Sequence, residues 1–351
     1  MARLAQVRLT RLRVPLRAPY RLAFGPVEHF DTILVECDAE GRTGLGEATV
    51  LTGYTEETIE GSWRAADEIA VRLAGMEIEA ARVELRPYFR RLPFTTTAFA
   101  TALEMLEGSD YLRIEREQAV PLLAGINATG EQAVREEFER LYAQGYRTFK
   151  VKVGFDVEKD LAHVRTVQTL SHGRSMLRID ANQGYSAEQA MAFASRVDPD
   201  GIELFEQPCP AADWESHMKV VGASRVPMML DESIYGLEEI ERAASLGAAK
   251  FVKLKLMKLG TMAALGAALD RIRALGMTPV LGNGVACDLG CWMEACVAAR
   301  HIDNAGEMNG FLRARAGVLS QPLEVREGAL ILKPGFVPAL GNVQPYVVDK
   351  R

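Results

Sequence analysis

The chain has 351 residues, of which 48% are hydrophobic and 25% are charged, as in an ordinary soluble globular protein. Its 41 Lys and Arg residues against 47 Asp and Glu residues give a formal net charge of −6, so it has no basic excess with which to bind nucleic acid. No apolar stretch approaches the roughly 18 residues that a membrane span requires, and Met1–Pro15 lacks the apolar core of a signal peptide. We therefore expect a cytoplasmic protein with neither a nucleic-acid nor a membrane partner.

The first third of the chain has the patterns of an α+β unit. Apolar and polar residues alternate over Ala5–Val14, Asp31–Asp38 and Gly44–Val50, which is typical of antiparallel strands. Residues 55–110 then place apolar residues three and four positions apart, which predicts helices.

From Pro121 onward, short apolar runs alternate with amphipathic helices, the pattern of βαβ units and a parallel sheet. The predicted strands are Thr148–Val153, Met176–Ile179, Gly201–Phe205, Pro227–Leu230, Lys250–Leu256 and Pro279–Leu281. The predicted helices between them include Glu158–Leu170, Ala187–Val197, Glu238–Leu246 and Ala263–Leu275. The near-constant length of the units favours closure into a TIM-like barrel, with an open doubly wound sheet as the alternative.

Polar residues stand at the carboxyl end of five of these strands, where the active sites of TIM barrels are built. In chain order they are Lys150 and Lys152, Asp180 and Asn182, Glu206 and Gln207, Asp231 and Glu232, and Lys253 and Lys255. One βα unit separates each group from the next. We therefore expect these side chains to meet at one end of the barrel.

Three consecutive strand ends carry a carboxylate, at Asp180, Glu206 and Asp231. Adjacent carboxylates repel one another unless a cation lies between them, and their hard oxygen atoms suit Mg²⁺ or Mn²⁺ better than zinc. Zinc is also disfavoured because the cysteines and histidines form neither a Cys-x-x-Cys nor a His-Glu-x-x-His motif. A single acid would indicate a helix cap, but three in succession flanked by lysines indicate a metal site.

The lysines predict acid–base chemistry on both sides of such a metal. Lys150 and Lys152 are two residues apart on a strand, so they point to the same face, and Lys253 and Lys255 repeat this arrangement. A neighbouring cation and partial burial both lower an ammonium pKa, as a general base requires. One lysine could then remove a proton next to a substrate carboxylate and the other return it from the opposite face. Lys258, by contrast, is predicted to be solvated.

These motifs together resemble the enolase superfamily, in its muconate-lactonizing-enzyme subgroup. The matching segments are Lys150–Lys152, Asp180–Asn182, Glu206–Pro208, Asp231–Ser233 and Leu254–Lys258. The resemblance implies an N-terminal α+β capping domain over residues 1–120, completed by about residues 322–351. It also implies a modified (β/α)7β barrel over residues 121–321.

The same resemblance implies roles for the strand-end residues. Asp180, Glu206 and Asp231 would hold Mg²⁺, with Mn²⁺ as the alternative, and Lys152 and Lys255 would be the acid–base pair. The supporting residues would be Lys150, Lys253, Asn182, Gln207 and Glu232. The implied partner is a small carboxylate substrate, and the subgroup leads us to expect a homo-oligomer.

Specificity is expected to come from two cap loops, at about residues 17–26 and 48–55, and from the last strand ends. The pocket candidates on the loops are Tyr20, Phe24 and Tyr54. Lys253 stands where the subgroup usually has Asn, and residues 306–311 lack the Asp-x-Asp pair usual in dipeptide epimerases. Asp288 and Glu307 are candidates to receive a cationic substrate group; the alternatives are a helix cap for Asp288 and a solvated acid for Glu307.

The sequence therefore favours a racemase or epimerase of an amino-acid derivative or dipeptide, working through an enediolate. A cycloisomerase, an o-succinylbenzoate synthase-like enzyme or a dehydratase of the same subgroup remains an alternative. Two further classes are a Schiff-base aldolase, which would use a strand lysine as nucleophile, and a non-catalytic binding barrel.

Overall fold

The computed structural model describes residues 2–22 and 25–351. It begins with an antiparallel sheet in which β1 (Gln6–Leu22) pairs with β2 (Gly25–Ala39), and β2 pairs with β3 (Arg42–Thr49). These strands confirm the predicted antiparallel unit. The segment predicted as the first cap loop is instead the outer part of the β1–β2 hairpin, since residues 20–22 still pair with residues 25–27.

Three helices cover this sheet: α1 (Ile59–Leu73), α2 (Ile78–Phe89) and α3 (Pro93–Leu106), as the helical spacing of residues 55–110 predicts. The nearly all-round burial of α3 depends on close packing against β3. A Cβ atom at Gly44 or Gly46 would lie 2.0 or 1.7 Å from a backbone oxygen of α3, so only glycine permits this approach.

The barrel consists of short buried strands that alternate with helices. After β4 (Gln118–Pro121), its first half comprises β5 (Ala124–Ile126), α4 (Glu131–Ala143), β6 (Thr148–Lys152), α5 (Val157–Ser171), β7 (Met176–Asp180), α6 (Ala187–Arg196) and β8 (Ile202–Glu206). The second half comprises α7 (Trp214–Ala223), β9 (Met228–Leu230), α8 (Leu237–Leu246), β10 (Phe251–Leu254), α9 (Leu256–Leu259), α10 (Met262–Ala274), β11 (Thr278–Leu281) and α11 (Asp288–His301).

Strands β5 to β11 form one parallel sheet in chain order, and the segment around Gly306 closes it. The Gly306 carbonyl accepts a hydrogen bond from Leu123 N (3.0 Å), beside β5. On the other side, Glu307 N donates to the Leu281 carbonyl (3.0 Å) at the end of β11. Seven βα units and a closing eighth segment confirm the modified (β/α)7β barrel and exclude the open sheet.

The last part of the chain returns to both sheets outside the barrel. Strands β12 (Glu324–Arg326) and β13 (Ala329–Leu332) form a small antiparallel sheet with β4. Strand β14 (Val347–Lys350) pairs with β1, at the edge of the N-terminal sheet. The division at residue 120, with 322–351 completing the cap, stays a prediction.

Two buried cap carboxylates attach the N-terminal unit to the barrel by capping barrel helices. Glu47 at the end of β3 accepts hydrogen bonds from Cys287 N (2.6 Å) and Gly290 N (2.9 Å), at the start of α11. Glu104 of α3 accepts from Met262 N (2.7 Å) and Ala263 N (2.9 Å), at the start of α10. Negative charge at a helix N-terminus is stabilising, so these contacts hold the cap over the carboxyl ends of the strands.

The five cysteines, all within the described residues, are buried and carry no disulfide. In the ranges 2–22 and 25–351, no helix is both long and apolar enough to span a membrane.

Candidate active site

A cavity of about 330 Å³ lies between the carboxyl ends of the barrel strands and the cap. The cap contributes Tyr20, Leu51, Tyr54 and Phe94 to its wall. The barrel contributes the charged side chains of Lys150, Lys152, Asp180, Asp231, Glu232, Lys253, Lys255 and Glu307. The structure thus brings most of the predicted site residues together in one place.

The three predicted metal ligands stand side by side because their strands are neighbours in the sheet. Asp180 and Glu206 are register partners at the ends of β7 and β8. Asp231 directly follows β9, and its backbone N–H donates to Gln207 Oε1 (2.9 Å), which positions it. All three carboxylates are buried.

Lysine ammonium groups lie between these carboxylates and bridge them in pairs. Lys150 Nζ is 2.9 Å from Asp180 Oδ2 and 2.7 Å from Glu206 Oε2. Lys253 Nζ is 3.1 Å from Glu206 Oε1 and 3.5 Å from Asp231 Oδ2. Each neighbouring pair of acids therefore shares one ammonium group.

The donor chemistry of this row fits Mg²⁺, because three buried carboxylates on adjacent strands supply only hard oxygen atoms. As placed, the described residues contain no group of three or more acidic, histidine or cysteine side chains arranged around a single metal position. The bridging ammonium groups account for this, since they occupy the spaces between the acids.

Lys152 forms one side of the site with Asp180 and Asn182, a group that we call the Lys152 side. Its Nζ atom is 2.5 Å from Asp180 Oδ2 and also donates to Asn182 Oδ1, and the side chain is 30% exposed. Burial has the largest single effect and lowers the pKa of Lys152, but the charge of Asp180 together with Tyr20 and Glu206 outweighs burial and Lys150, so the pKa is raised. The expectation of a lowered pKa is wrong for Lys152 because it left out this contact.

Lys255 forms the opposite side with Asp231, Tyr54 and Lys258, a group that we call the Lys255 side. Lys255 Nζ is 2.9 Å from Asp231 Oδ2, donates to the Tyr54 hydroxyl and lies 4.1 Å from the centre of the Tyr54 ring. The Tyr54 hydroxyl in turn donates to Asp231 Oδ1 (3.1 Å). Only 8% of the Lys255 side chain is exposed, because the cap residue Tyr54 closes over it.

Lys258 is buried, with 1% of its surface exposed, so the prediction of a solvated lysine is wrong. Its Nζ donates to the Asp231 carbonyl (2.5 Å) and to Asp231 Oδ1 (2.9 Å). Burial outweighs the charge of Asp231 and lowers the pKa of Lys258 to about 8. The short helix α9 explains the placement, since one turn returns the residue three positions after Lys255 to the same acid.

Glu307 lies in the closing eighth segment and is neither solvated nor free. Its Oε1 is 2.5 Å from Lys150 Nζ and its Oε2 contacts Lys253 Nζ. Burial raises the pKa of Glu307, but these two lysines outweigh burial and bring it well below its ordinary value. Glu307 lines the cavity as an acid that is already paired.

Asp288 does not line the cavity. Its carboxylate accepts hydrogen bonds from Val318 N (2.7 Å) and Leu319 N (3.1 Å), beyond the barrel. The structure therefore gives Asp288 a positioning role in this connection and does not bring it to a substrate. Tyr20 does line the cavity, and Phe24 lies outside the described residues.

Gln207 and Glu232 form hydrogen bonds that position the segments carrying the acids. Gln207 donates to Ser233 Oγ (2.7 Å) as well as accepting from Asp231 N, so it holds the segment after β9. Glu232 accepts from Asn182 Nδ2 (3.0 Å), and burial followed by the charge of Asp231 raises its pKa. This contact links the strand ends of β7 and β9.

Sequence reasoning missed Glu294, a buried acid near Lys255. Its Oε1 accepts from Leu256 N (2.8 Å), and its Oε2 has no partner among the described residues. Burial raises the pKa of Glu294 to about 7. No local motif marks it, because it lies in the middle of the apolar helix α11.

Comparison with known proteins assigns the chain to a family. A family model described as Enolase C-terminal domain-like matches residues 133–336. The chain belongs to this family. The match confirms the resemblance to the enolase superfamily, and the matched range contains all the strand-end lysines and acids described above.

Two curated relatives in this superfamily are epimerases. The chain is 29% identical to the hydrophobic dipeptide epimerase of Citrifermentans bemidjiense, over 82% of this chain and 81% of that protein. It is also 29% identical to the L-Lys-D/L-Arg epimerase of Methylococcus capsulatus, over 98% and 99% of the two chains.

Among solved structures, the dipeptide epimerase from Cytophaga hutchinsonii, complexed with Mg and the dipeptide D-Ala-L-Val, superposes with a TM-score of 0.88. The identity is 20%, over 99% of both chains, so this likeness shows the shared fold.

Proposed function

We propose that this protein is a Mg²⁺-dependent racemase or epimerase of an amino-acid derivative or dipeptide. The observation that carries the proposal is that Lys152 and Lys255 enter one cavity from two strands on opposite sides of the row of three carboxylates. A reaction that inverts a carbon centre needs one group on each face of that carbon, and this arrangement provides both.

The two lysines would move the protons. One removes the proton from the carbon next to the substrate carboxylate, and the other donates a proton to the opposite face. Asp180, Glu206 and Asp231 would hold Mg²⁺, which supplies positive charge to the substrate carboxylate and to the negative charge that develops there. Lys150 lies beside Lys152 and between two of the acids, where it adds further positive charge.

The size and closure of the site support a small carboxylate substrate. A cavity of about 330 Å³ holds a molecule of dipeptide or N-acyl amino acid size. The cap residues Tyr20 and Tyr54 line it and so contribute to selectivity. The two epimerase relatives align over 82% and 98% of this chain, and the o-succinylbenzoate synthase of Geobacillus kaustophilus aligns over 72%, which supports epimerisation over that lyase alternative.

The remaining parts of the proposal concern organisation and location. We propose a capping domain over residues 1–120 completed by 322–351, a barrel over 121–321, and a cytoplasmic homo-oligomer. The pairing of β14 with β1 supports the return of the chain end to the cap. Sedimentation of the purified protein tests the oligomeric state, which is wrong if a monomer persists at micromolar concentration.

Exchange of the substrate α-proton with deuterated solvent tests the activity. The Mg²⁺-loaded protein is incubated in D₂O with a library of dipeptides, N-acyl amino acids and proline derivatives, and followed by NMR and chiral chromatography. We expect exchange with inversion for at least one compound, its loss with EDTA, and none for Lys152→Ala/Lys255→Ala. A folded wild type that exchanges no compound would contradict the proposal.

The same samples separate the alternatives. Conversion to a ring-closed or dehydrated product would favour a cycloisomerase or a lyase. Trapping of a lysine adduct by borohydride, with activity that EDTA does not remove, would favour the Schiff-base aldolase. Ligand binding without turnover, unchanged by substitution of both lysines, would favour the non-catalytic barrel.

A further inference from the structure

Lys253 lies deep in the barrel among the acids that are proposed to hold the metal. Its Nζ is 3.1 Å from Glu206 Oε1 and 3.5 Å from Asp231 Oδ2, and only 1% of the residue is exposed. A dication bound by these two carboxylates would stand next to this ammonium group and be repelled by it.

Glu307 provides Lys253 with a second set of contacts, away from Asp231. The Glu307 Oε2 atom contacts Lys253 Nζ directly, while its Oε1 pairs with Lys150. The segment of Glu307 lies between β11 and β5 in the closed barrel, so Glu307 holds Lys253 from a strand end that carries none of the three proposed metal ligands. The ammonium group of Lys253 can therefore leave the metal ligands and stay paired.

The charges of the site balance without a dication. Its five acids are Asp180, Glu206, Asp231, Glu232 and Glu307, and its five lysines are Lys150, Lys152, Lys253, Lys255 and Lys258. A buried set of equal and opposite charges is stable only while each member is paired, and each of these lysines contacts at least one carboxylate. Addition of a dication would leave two positive charges in excess, of which the substrate carboxylate would offset one.

We propose that Lys253 is an internal competitor of the dication, with Glu307 as the counter-ion that retains it. Lys253 bridges Glu206 and Asp231 while no dication is bound, and turns to Glu307 alone when one binds. The proposal rests on the metal site of the proposed function. It implies that the protein keeps its fold without metal, that the dication binds weakly, and that substrate carboxylate tightens its binding.

Metal titration of Lys253→Met tests this directly, because methionine keeps most of the side-chain volume and removes the charge. We titrate MgCl₂ by calorimetry and Mn²⁺ by electron paramagnetic resonance, without substrate. We expect the variant to bind both ions at least ten times more tightly than wild type. Lys250→Met is the matched control: Lys250 precedes the same strand at its opposite end, is exposed, and contacts the Gly276 carbonyl, so its substitution should leave both affinities unchanged.

Thermal melting gives an independent readout. The melting temperatures of wild type in EDTA and in MgCl₂ should differ by less than about 2 °C. Lys253→Met should melt at least 5 °C lower in EDTA, because Glu206 and Glu307 lose a partner, and should recover in MgCl₂. A variant that folds only with the dication supports the proposal equally. If it folds in neither condition, Lys253→Asn is titrated in its place.

Glu307→Gln tests the counter-ion in a protein that retains Lys253. We expect it to bind Mg²⁺ at least three times more weakly than wild type, and expect a smaller change when the same substitution is made in Lys253→Met. Affinities of Lys253→Met or Lys253→Asn within twofold of wild type, or an unchanged or tighter affinity of Glu307→Gln, would overturn the proposal. Since these titrations need no substrate, they fail or succeed independently of the exchange experiment.

Discussion

The Lys152 side and the Lys255 side of the cavity are built differently, although both hold a lysine against an acid at a strand end. The polar contacts of Lys152 are with the barrel residues Asp180 and Asn182, and its side chain stays 30% exposed. On the Lys255 side, the cap residue Tyr54 closes over the lysine, whose side chain is 8% exposed.

The cap therefore acts on the two proposed bases unequally. Movement of the loop that carries Tyr54 would change the contacts of Lys255 and Asp231 and leave those of Lys152 in place. The two directions of an epimerisation should therefore respond differently to substitutions in the cap.

Lys258→Met removes a buried ammonium group from Asp231, so it should weaken both stability and turnover. We expect the free energy of unfolding to fall by about 3 kcal/mol, as for other buried ion pairs that lose one partner. We also expect α-proton exchange to slow about a hundredfold, since Asp231 positions Lys255. Urea unfolding and exchange kinetics measure both. Lys219→Met is the control, because Lys219 forms an exposed ion pair with Glu215 on one helix. An equal loss of stability and exchange rate in this variant would refute the assigned role of Lys258.

Tyr54→Phe should slow only the direction of reaction in which Lys255 takes the proton, by about tenfold. The substitution removes the hydroxyl that contacts Lys255 and Asp231 and keeps the ring, and a hydrogen bond to a charged group contributes about 1.5–3 kcal/mol. Exchange rates of the two stereoisomers, measured separately, give the result. Tyr111→Phe, which removes a hydroxyl that contacts His301 Nε2 (2.9 Å) and does not line the cavity, should change either rate less than twofold; equal slowing by both variants would argue against the asymmetry.

Asn182→Gly should slow, by about fivefold, the direction of reaction in which Lys152 takes the proton. The direction in which Lys255 takes the proton should stay unchanged. The side chain of Asn182 accepts from Lys152 and donates to Glu232, and both contacts are lost. Glycine is the suitable replacement because Asn182 has φ = 41°, in the left-handed region that glycine adopts readily. Slowing of both directions to the same extent would show that Asn182 acts on the whole site and not on Lys152.

Glu294→Gln should produce a smaller change, in stability and with a defined pH dependence. Burial raises the pKa of Glu294 from 4.5 to about 7, so the native state favours the protonated form. Its stabilising contribution is present below pH 4.5 and is lost as the pH rises through 7. The variant should match wild type near pH 4.5 and be more stable by about 1–2 kcal/mol at pH 8. Denaturant unfolding across this range measures it, and a constant difference would rule out titration of Glu294 as the cause.

The sequence predicted the barrel and the row of acids because both are local patterns. Each strand is a short apolar run and each acid directly follows one, so the parallel sheet alone brings Asp180, Glu206 and Asp231 together. The predicted strand Lys250–Leu256 was too long, because the chain turns into α9 after Lys255.

The contacts that the sequence could not predict depend on which charges meet after the barrel closes. Glu307 was expected to be a solvated acid or a receptor for a substrate cation, yet closure of the eighth segment pairs it with Lys150 and Lys253. Lys258 was expected in solvent, and the pKa of Lys152 was expected to fall. Each outcome depends on the distance to a carboxylate on another strand. The spacing of residues along one strand gives no information about that distance.

The central claim is that Lys152 and Lys255 work on opposite faces of one carbon. Its most direct test is stereospecific α-proton exchange in D₂O by Lys152→Ala and by Lys255→Ala, each supplied with the two substrate isomers separately. We expect each variant to lose exchange of one isomer, by at least a thousandfold. The two variants should lose different isomers, and neither should interconvert them. If both variants lose exchange of the same isomer, or slow both isomers equally, the opposed arrangement of the two bases is wrong.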